Sequence, residues 1–192
     1  MMGSRALYHS LVILLGAYYL AVLAMALNPR VSEWYRRYYL SGETDLTPTA
    51  IARLAPITPG AVLSFRSEIL GFDGWAAPKK ARWSLGTQPR IVFQVAEGDG
   101  RRLSGHLRLE FNTLGTQRVQ IALNGTPIHD HTYTCPPQGE SITFCPVTAD
   151  IRFPPSLVMP GQNDLGFHLP DARLVPVDGR VLAIAFKSLT LD

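Results

Sequence analysis

The residues best suited to chemistry gather in one short stretch. His129-Asp130-His131 places two imidazoles on one face of an extended segment, because side chains alternate across a strand. Cys135 and Cys145 follow in "TCPPQGESITFCPV". Zinc takes both thiolate and imidazole ligands, so a metal site is conceivable. The spacing matches no standard zinc pattern, and a disulfide would consume both sulfurs. The expectation is solvated strand-face histidines with no metal, and a Cys135–Cys145 disulfide over a connection signalled by Pro136-Pro137 and Gln138-Gly139. Two buried free thiols are the alternative.

Aromatic rings offer a second kind of chemistry. Trp75 sits in a Gly-flanked loop, where its ring could stack a sugar or plug a core. Trp83 leads a strand and reads as core. Asn124-Gly125-Thr126 fits a glycosylation acceptor, but Pro127 follows and Asn-Gly is a hairpin signal, so it reads as a turn. Catalytic signatures are missing from the sequence. It has no G-x-S-x-G elbow, no H-E-x-x-H and no Gly-rich phosphate loop before a helix. Asp and Glu are spread singly, and no nucleophile has a nameable base. The chain is expected to be no enzyme and to need no cofactor.

These residues must be positioned by strands. "RIVFQVA" (90–96) is bounded by Pro89 and the turn "EGDG". "GHLRLEF" puts Leu107, Leu109 and Phe111 on one face, and "RVQIALNG" does the same with Val119, Ile121 and Leu123. "AVLSFRSEIL" (61–70), "SITFCPV", "DLGFHLP" and "VLAIAFKSLTL" add further runs. Eight to ten short strands, with no long helical pattern between them, predict an all-β antiparallel sandwich of the jelly-roll kind over 61–192. The apolar final run, 181–191, belongs in the middle of a sheet near the domain's first strand, since an exposed edge would invite aggregation. The 15 Pro and 16 Gly suit many turns. A net charge of +3 with scattered Lys and Arg argues against nucleic acid as a partner.

The N-terminus has a different character. No Lys, Arg, Asp or Glu lies between Arg5 and Arg30. Residues 6–28 are long enough to cross a hydrocarbon core of roughly 30 Å as a helix. Residues 1–28 thus read as one transmembrane α-helix preceding the sandwich. Gly16, Ala17, Ala21 and Ala24 are small enough to let another helix approach. A cleavable signal peptide ending near Ala24-Met25-Ala26 is the rival. Beyond the span, Trp34, Tyr35, Tyr38 and Tyr39 recur at helical spacing, with Arg36 and Arg37 on another side. This suits a helix over 29–40 lying at the membrane–water boundary, its arginines reaching phosphates. A helix face packed on the domain is the alternative. Residues 41–60 form a Pro- and Thr-rich connector. There Thr47 and Pro48 look like an N-cap and first helical position, and Ile51 and Leu54 lie on a short turn of helix.

Taken together, "GFDGWAAPKKARWSLGTQPRIVFQV", "QRVQIALNG", "PGQNDLGFHLPDARLVPVDGR" and "LAIAFKSLTL" resemble a carbohydrate-binding-module-like (galactose-binding-like) jelly roll of bacterial envelope proteins. The markers are Trp75, Arg82-Trp83-Ser84 with Gly86, Val119, Asn124-Gly125, Pro160-Gly161, Asn163 and Pro170-Asp171-Ala172. They are packing and turn residues, which specify a fold better than an activity. The resemblance implies an extracytoplasmic domain. Arg30, Arg36 and Arg37 after the span outnumber Arg5 before it, and by the positive-inside rule would put that domain in the cytoplasm. The cysteine pair and the resemblance favour the periplasm instead. The expectation is a single-pass protein of the bacterial inner membrane whose partners are lipids and the other subunits of a membrane complex. In that setting it is a structural accessory subunit; the alternative is a glycan-binding module that holds envelope polysaccharide.

Overall fold

The structure, a computed structural model, describes residues 9, 12, 14–20, 22–23, 46–98, 103–136, 143–176 and 179–192. The chain divides into two compact units, Met1–Ser41 and Gly42–Asp192. In the first, the described residues are helical, and Leu14, Leu15, Tyr18, Tyr19 and Leu20 expose their side chains. Gly16 and Ala17 lie in this helical stretch, exposed, with open space where a Cβ on Gly16 would project. Among the described residues no helix is long and apolar enough to cross a membrane. Much of the span expected over 6–28 lies outside the described residues. Ala21 and Ala24 do so too, as does the whole set Trp34, Tyr35, Arg36, Arg37, Tyr38 and Tyr39.

The second unit is built from strands. A five-residue helix, α1 (Pro48–Ala52), precedes them, capped as Thr47 suggests: the Thr47 hydroxyl accepts from Ala50 N at 3.2 Å. The described strands are β1 (Pro56–Ile57), β2 (Leu63–Ser64), β3 (Gly71–Asp73), β4 (Arg82–Trp83), β5 (Arg90–Val95), β6 (His106–Leu114), β7 (Gln117–Leu123), β8 (Thr126–Tyr133), β9 (Phe144–Arg152), β10 (Gly161–His168), β11 (Arg173–Val175), β12 (Arg180–Leu182) and β13 (Ile184–Leu191). The excess over the eight to ten expected lies in two- and three-residue pairings such as β1, β3, β4, β11 and β12, and the run 61–70 is not one continuous strand. Only Leu63–Ser64 pairs there; backbone turns from Ser67 to Ser64 and from Leu70 to Ser67 break the rest.

The first sheet runs β1-β5-β10-β7-β8, with β3 also beside β5; the second runs β2-β13-β6-β9, with β4 beside β13. Strands β11 and β12 form a separate hairpin. The chain passes between the sheets from β5 to β6, β6 to β7, β8 to β9 and β9 to β10, which makes an all-β sandwich. One pairing departs from the antiparallel expectation: β1 runs parallel to β5. With Ile51 and Ile57 buried, residues 48–57 belong to the sandwich rather than to a connector.

The core follows from the period of two. Leu107, Leu109 and Phe111 of β6 face Val119, Ile121 and Leu123 of β7 within one buried cluster. Of the run 181–191 only residues 184–191 form the mid-sheet strand β13, which pairs with β2 and keeps Ile184, Phe186 and Leu189 nearly inaccessible; Val181 and Leu182 pair instead with β11 in the separate hairpin. Buried polar groups are anchored by hydrogen bonds. Asn163 accepts from Met159 N at 2.8 Å and donates to Met159 O at 2.7 Å, tying down the start of β10. The Ser84 hydroxyl accepts from the backbone N–H groups of Ala183 and Ile184, fixing the entry to β13.

Candidate functional site: a groove on the outer face of the first sheet

The register of four strands builds the site. Gly166 of β10 stands opposite Arg90 of β5 on one side and Ala122 of β7 on the other, and Ala122 stands opposite Pro127 of β8. Directly opposed residues share a face, so this row lies on the outer surface. At about 4.8 Å per strand, Arg90 and Pro127 stand roughly 14 Å apart with two small residues between them. Along β10, Asp164 and His168 flank Gly166 on the same face. The result is a groove of about 560 Å³.

Its flanks are polar and held in place. Arg90 Nε donates to Asp73 at 2.7 Å and its Nη1 to Asp164 at 3.3 Å. Trp75 Nε1 donates to Arg90 O at 2.9 Å, which fixes the backbone under that side chain from the core. Asp164 N donates to the Asn124 side chain at 2.8 Å. The Asn124-Gly125 turn is as expected, with both residues at positive φ (50° and 80°) and Leu123 paired with Thr126. Opposite, Asp130 accepts two bonds from Arg118 at 2.9 and 2.7 Å and one from Gln120 at 2.8 Å. These donors hold the Asp130 carboxyl well below the usual carboxylate range. Burial pushes Asp164 up, against the pull of Arg90. The groove therefore presents a guanidinium, two carboxylates and an amide at fixed positions.

Several residues singled out from the sequence lie elsewhere. Trp75 is wholly buried, ringed by Phe72, Phe167 and Phe186, so it cannot stack a sugar; the loop carries it into the core. Trp83, read as core, is half-buried on the second sheet's outer face, its ring 5.4 Å from that of the exposed Phe144. Strand β4 turns Ser84 inward and so turns Trp83 outward. Cys135 and Cys145 form a disulfide, with Cα atoms 5.7 Å apart. His129 and His131 share a face, ring centroids 6.1 Å apart, but His129 is half-buried rather than solvated and its Nε2 bonds the Tyr133 hydroxyl at 2.8 Å. Burial lowers the His129 pKa, with the neighbouring His131 adding to the effect. Among the described residues no cluster of three or more His, Cys, Asp or Glu could hold a metal.

Arg90, Asp164, Gly166 and the Gln120–Asp130 pair were not marked by their sequence. They come from β5, the β7–β8 hairpin and β10, three parts of the chain brought side by side only by the sheet register. One signal was available: a glycine inside "DLGFH", a strand run, is unusual without a reason.

No family model matches the chain. No curated protein matches it. Among solved structures it is similar to carbohydrate-binding modules. A family 36 module in complex with calcium and xylotriose shares 9% identity over 69% of this chain and 99% of that one, with a TM-score of 0.41. A family 35 module from Clostridium thermocellum shares 10% over 67% and 97%, with a TM-score of 0.37. A second family 35 module, from Paenibacillus barcinonensis, shares 13% over 69% and 98%, with a TM-score of 0.40.

Proposed function

We propose that the sandwich is a non-catalytic glycan-binding module, and that the N-terminal segment holds it at the periplasmic face of a bacterial inner membrane. The groove on the first sheet carries this reading. A sugar offers hydroxyls on its rim and C–H groups on its faces. The groove answers with the Arg90–Asp164 and Gln120–Asp130 pairs on its flanks and with Gly166, Ala122 and Pro127 along its floor. Charged partners already fixed by one another cost little ordering when they bind a neutral ligand.

The two groove carboxylates are badly placed for glycoside hydrolysis. Asp130 is level with His168, which lies four residues along β10 from Asp164 and two strands away. That separates the Cα atoms of Asp130 and Asp164 by roughly 16 Å, and each carboxylate is engaged by its own arginine, Asp130 by Arg118 and Asp164 by Arg90. The disulfide suits an oxidising compartment. The exposed apolar side chains of helical residues 14–20 favour burial in lipid or against another helix. They also keep the accessory-subunit reading in play, with the helix docking through Gly16 and Ala17 while the sandwich holds glycan.

Calorimetric titration of the full-length chain in detergent with cellohexaose, xylohexaose, mannohexaose and chitohexaose tests the proposal. At least one should bind, and Arg90→Ala or Asp164→Ala should weaken that binding by about tenfold or more, the size expected for losing a charge-assisted hydrogen bond. Absence of binding to all four would sink it.

A further inference from the structure

Resting on that glycan-binding reading, we infer that Gly166 is the specificity-determining residue of the groove: its missing side chain leaves the space in which a sugar ring packs directly on the β10 backbone. A glycine inside a strand weakens it, so each one calls for a physical reason. Others in this chain have one. A Cβ on Gly105 would collide with Phe153 O, and Gly161 sits at a φ of 84°. Gly166 has neither reason. Its φ lies outside the left-handed region, and a Cβ there would meet only Ala122 O at 4.0 Å, an ordinary contact. Neither the fold's backbone nor its packing requires glycine at this position.

What a side chain would remove is the empty space above it. Gly166 lies between Arg90 and Ala122, flanked along the strand by Asp164 and His168. With Ala122 and Pro127 alongside, the floor crosses three strands without a large side chain. A ring lying there sets its C–H face on Gly166 and Ala122 and turns its rim hydroxyls toward Arg90 and Asp164, while a neighbouring ring of the same oligosaccharide meets Gln120 and Asp130. Among the described residues no tryptophan or tyrosine lines the groove, and close approach to the backbone takes the place of stacking on such a ring.

The test compares full-length Gly166→Ala and Gly166→Val with Thr148→Val, a control on the exposed outer face of β9. Each is titrated with whichever of the four hexasaccharides binds the unaltered chain, and each is melted. Gly166→Val should lower affinity at least about tenfold, and Gly166→Ala should lower it less. Both should melt at the original temperature or up to about 4 °C above it, because a strand gains from losing a glycine. The control should bind unchanged. Undiminished binding by Gly166→Val would overturn the inference while leaving the glycan-binding reading intact. A fall in melting temperature for both Gly166 variants would also overturn it, since the glycine would then serve the fold. If the unaltered chain binds none of the hexasaccharides, the glycan-binding reading fails first and this inference with it.

Discussion

At the scale of single residues, Trp75 and His129 carry measurable consequences. Trp75 fills the core and satisfies Arg90 O, so Trp75→Ala should lower stability by about 3–5 kcal/mol in urea unfolding, the range for truncating a buried large aromatic. Trp75→Phe keeps most of the packing and removes one hydrogen bond to the carbonyl of a residue that also pairs with β3, at about 1 kcal/mol. An unchanged midpoint for both would mean the ring is not core. His129 makes a prediction about pH. Burial lowers its pKa below the ordinary 6.5, so the native state holds its proton less tightly than the unfolded chain. Its contribution is complete above about pH 6.5 and is lost as pH falls through that value, when the unfolded state protonates first. Asp130 pulls the other way, and His131 and Tyr133 also face it. His129→Gln should therefore lose less stability than the unaltered chain between pH 7 and pH 5; parallel curves would refute the assignment. Neither role could be read from the sequence. A tryptophan in a Gly-flanked loop looks the same whether the loop folds inward or out, and the depth of His129 depends on how β8 sits at the sheet's edge.

Elements were more legible, because local chemistry specifies them. The alternation of Leu107, Leu109 and Phe111 and of Val119, Ile121 and Leu123 predicts β6 and β7, and Asn124-Gly125 predicts the turn that follows. The short pairings at Leu63–Ser64 and Pro56–Ile57 were not legible, since two residues carry no period and their partners lie far along the chain. The groove was hidden for the same reason: it is a row across four strands, and a row exists only once the register is set. The disulfide links elements in a way the cysteine spacing does signal. Cys135 follows β8, an edge of the first sheet, and Cys145 lies on β9, an edge of the second. The bond thus ties the two layers where each would otherwise end. For a loop this short the chain-entropy estimate is about 3 kcal/mol at most. A Cys135→Ser, Cys145→Ser double variant should lose stability up to that amount in urea unfolding. It should keep its hexasaccharide affinity, because the groove is built by β5, β10, β7 and the start of β8. Lost affinity in a folded double variant would show that the groove depends on this edge.

For the whole molecule, the proposed anchor raises the question of what a shallow groove would gain from being held at a membrane. The flanks of the groove offer a few hydrogen bonds and its floor little apolar area, so one encounter with one sugar should be weak. Many copies held in one membrane meet a polymer differently, because the second and later contacts occur at high effective concentration and avidity can exceed single-site affinity by about 10²–10⁴. This division of labour predicts that the two units separate cleanly. A chain starting at Gly42 should keep the melting temperature and hexasaccharide affinity of the full-length protein, since the compact unit Gly42–Asp192 contains the whole groove. The full-length chain should stay in the membrane pellet through alkaline carbonate extraction, while the shortened chain is soluble. Reconstituted in vesicles, the full-length chain should retain a long polymer of the hexasaccharide it binds far better than the shortened chain does free in solution at equal protein concentration. Carbonate release of the full-length chain would remove the anchor from the account. Equal polymer retention by both forms would leave the anchor but remove its purpose, because a weak site then gains nothing from being held in place.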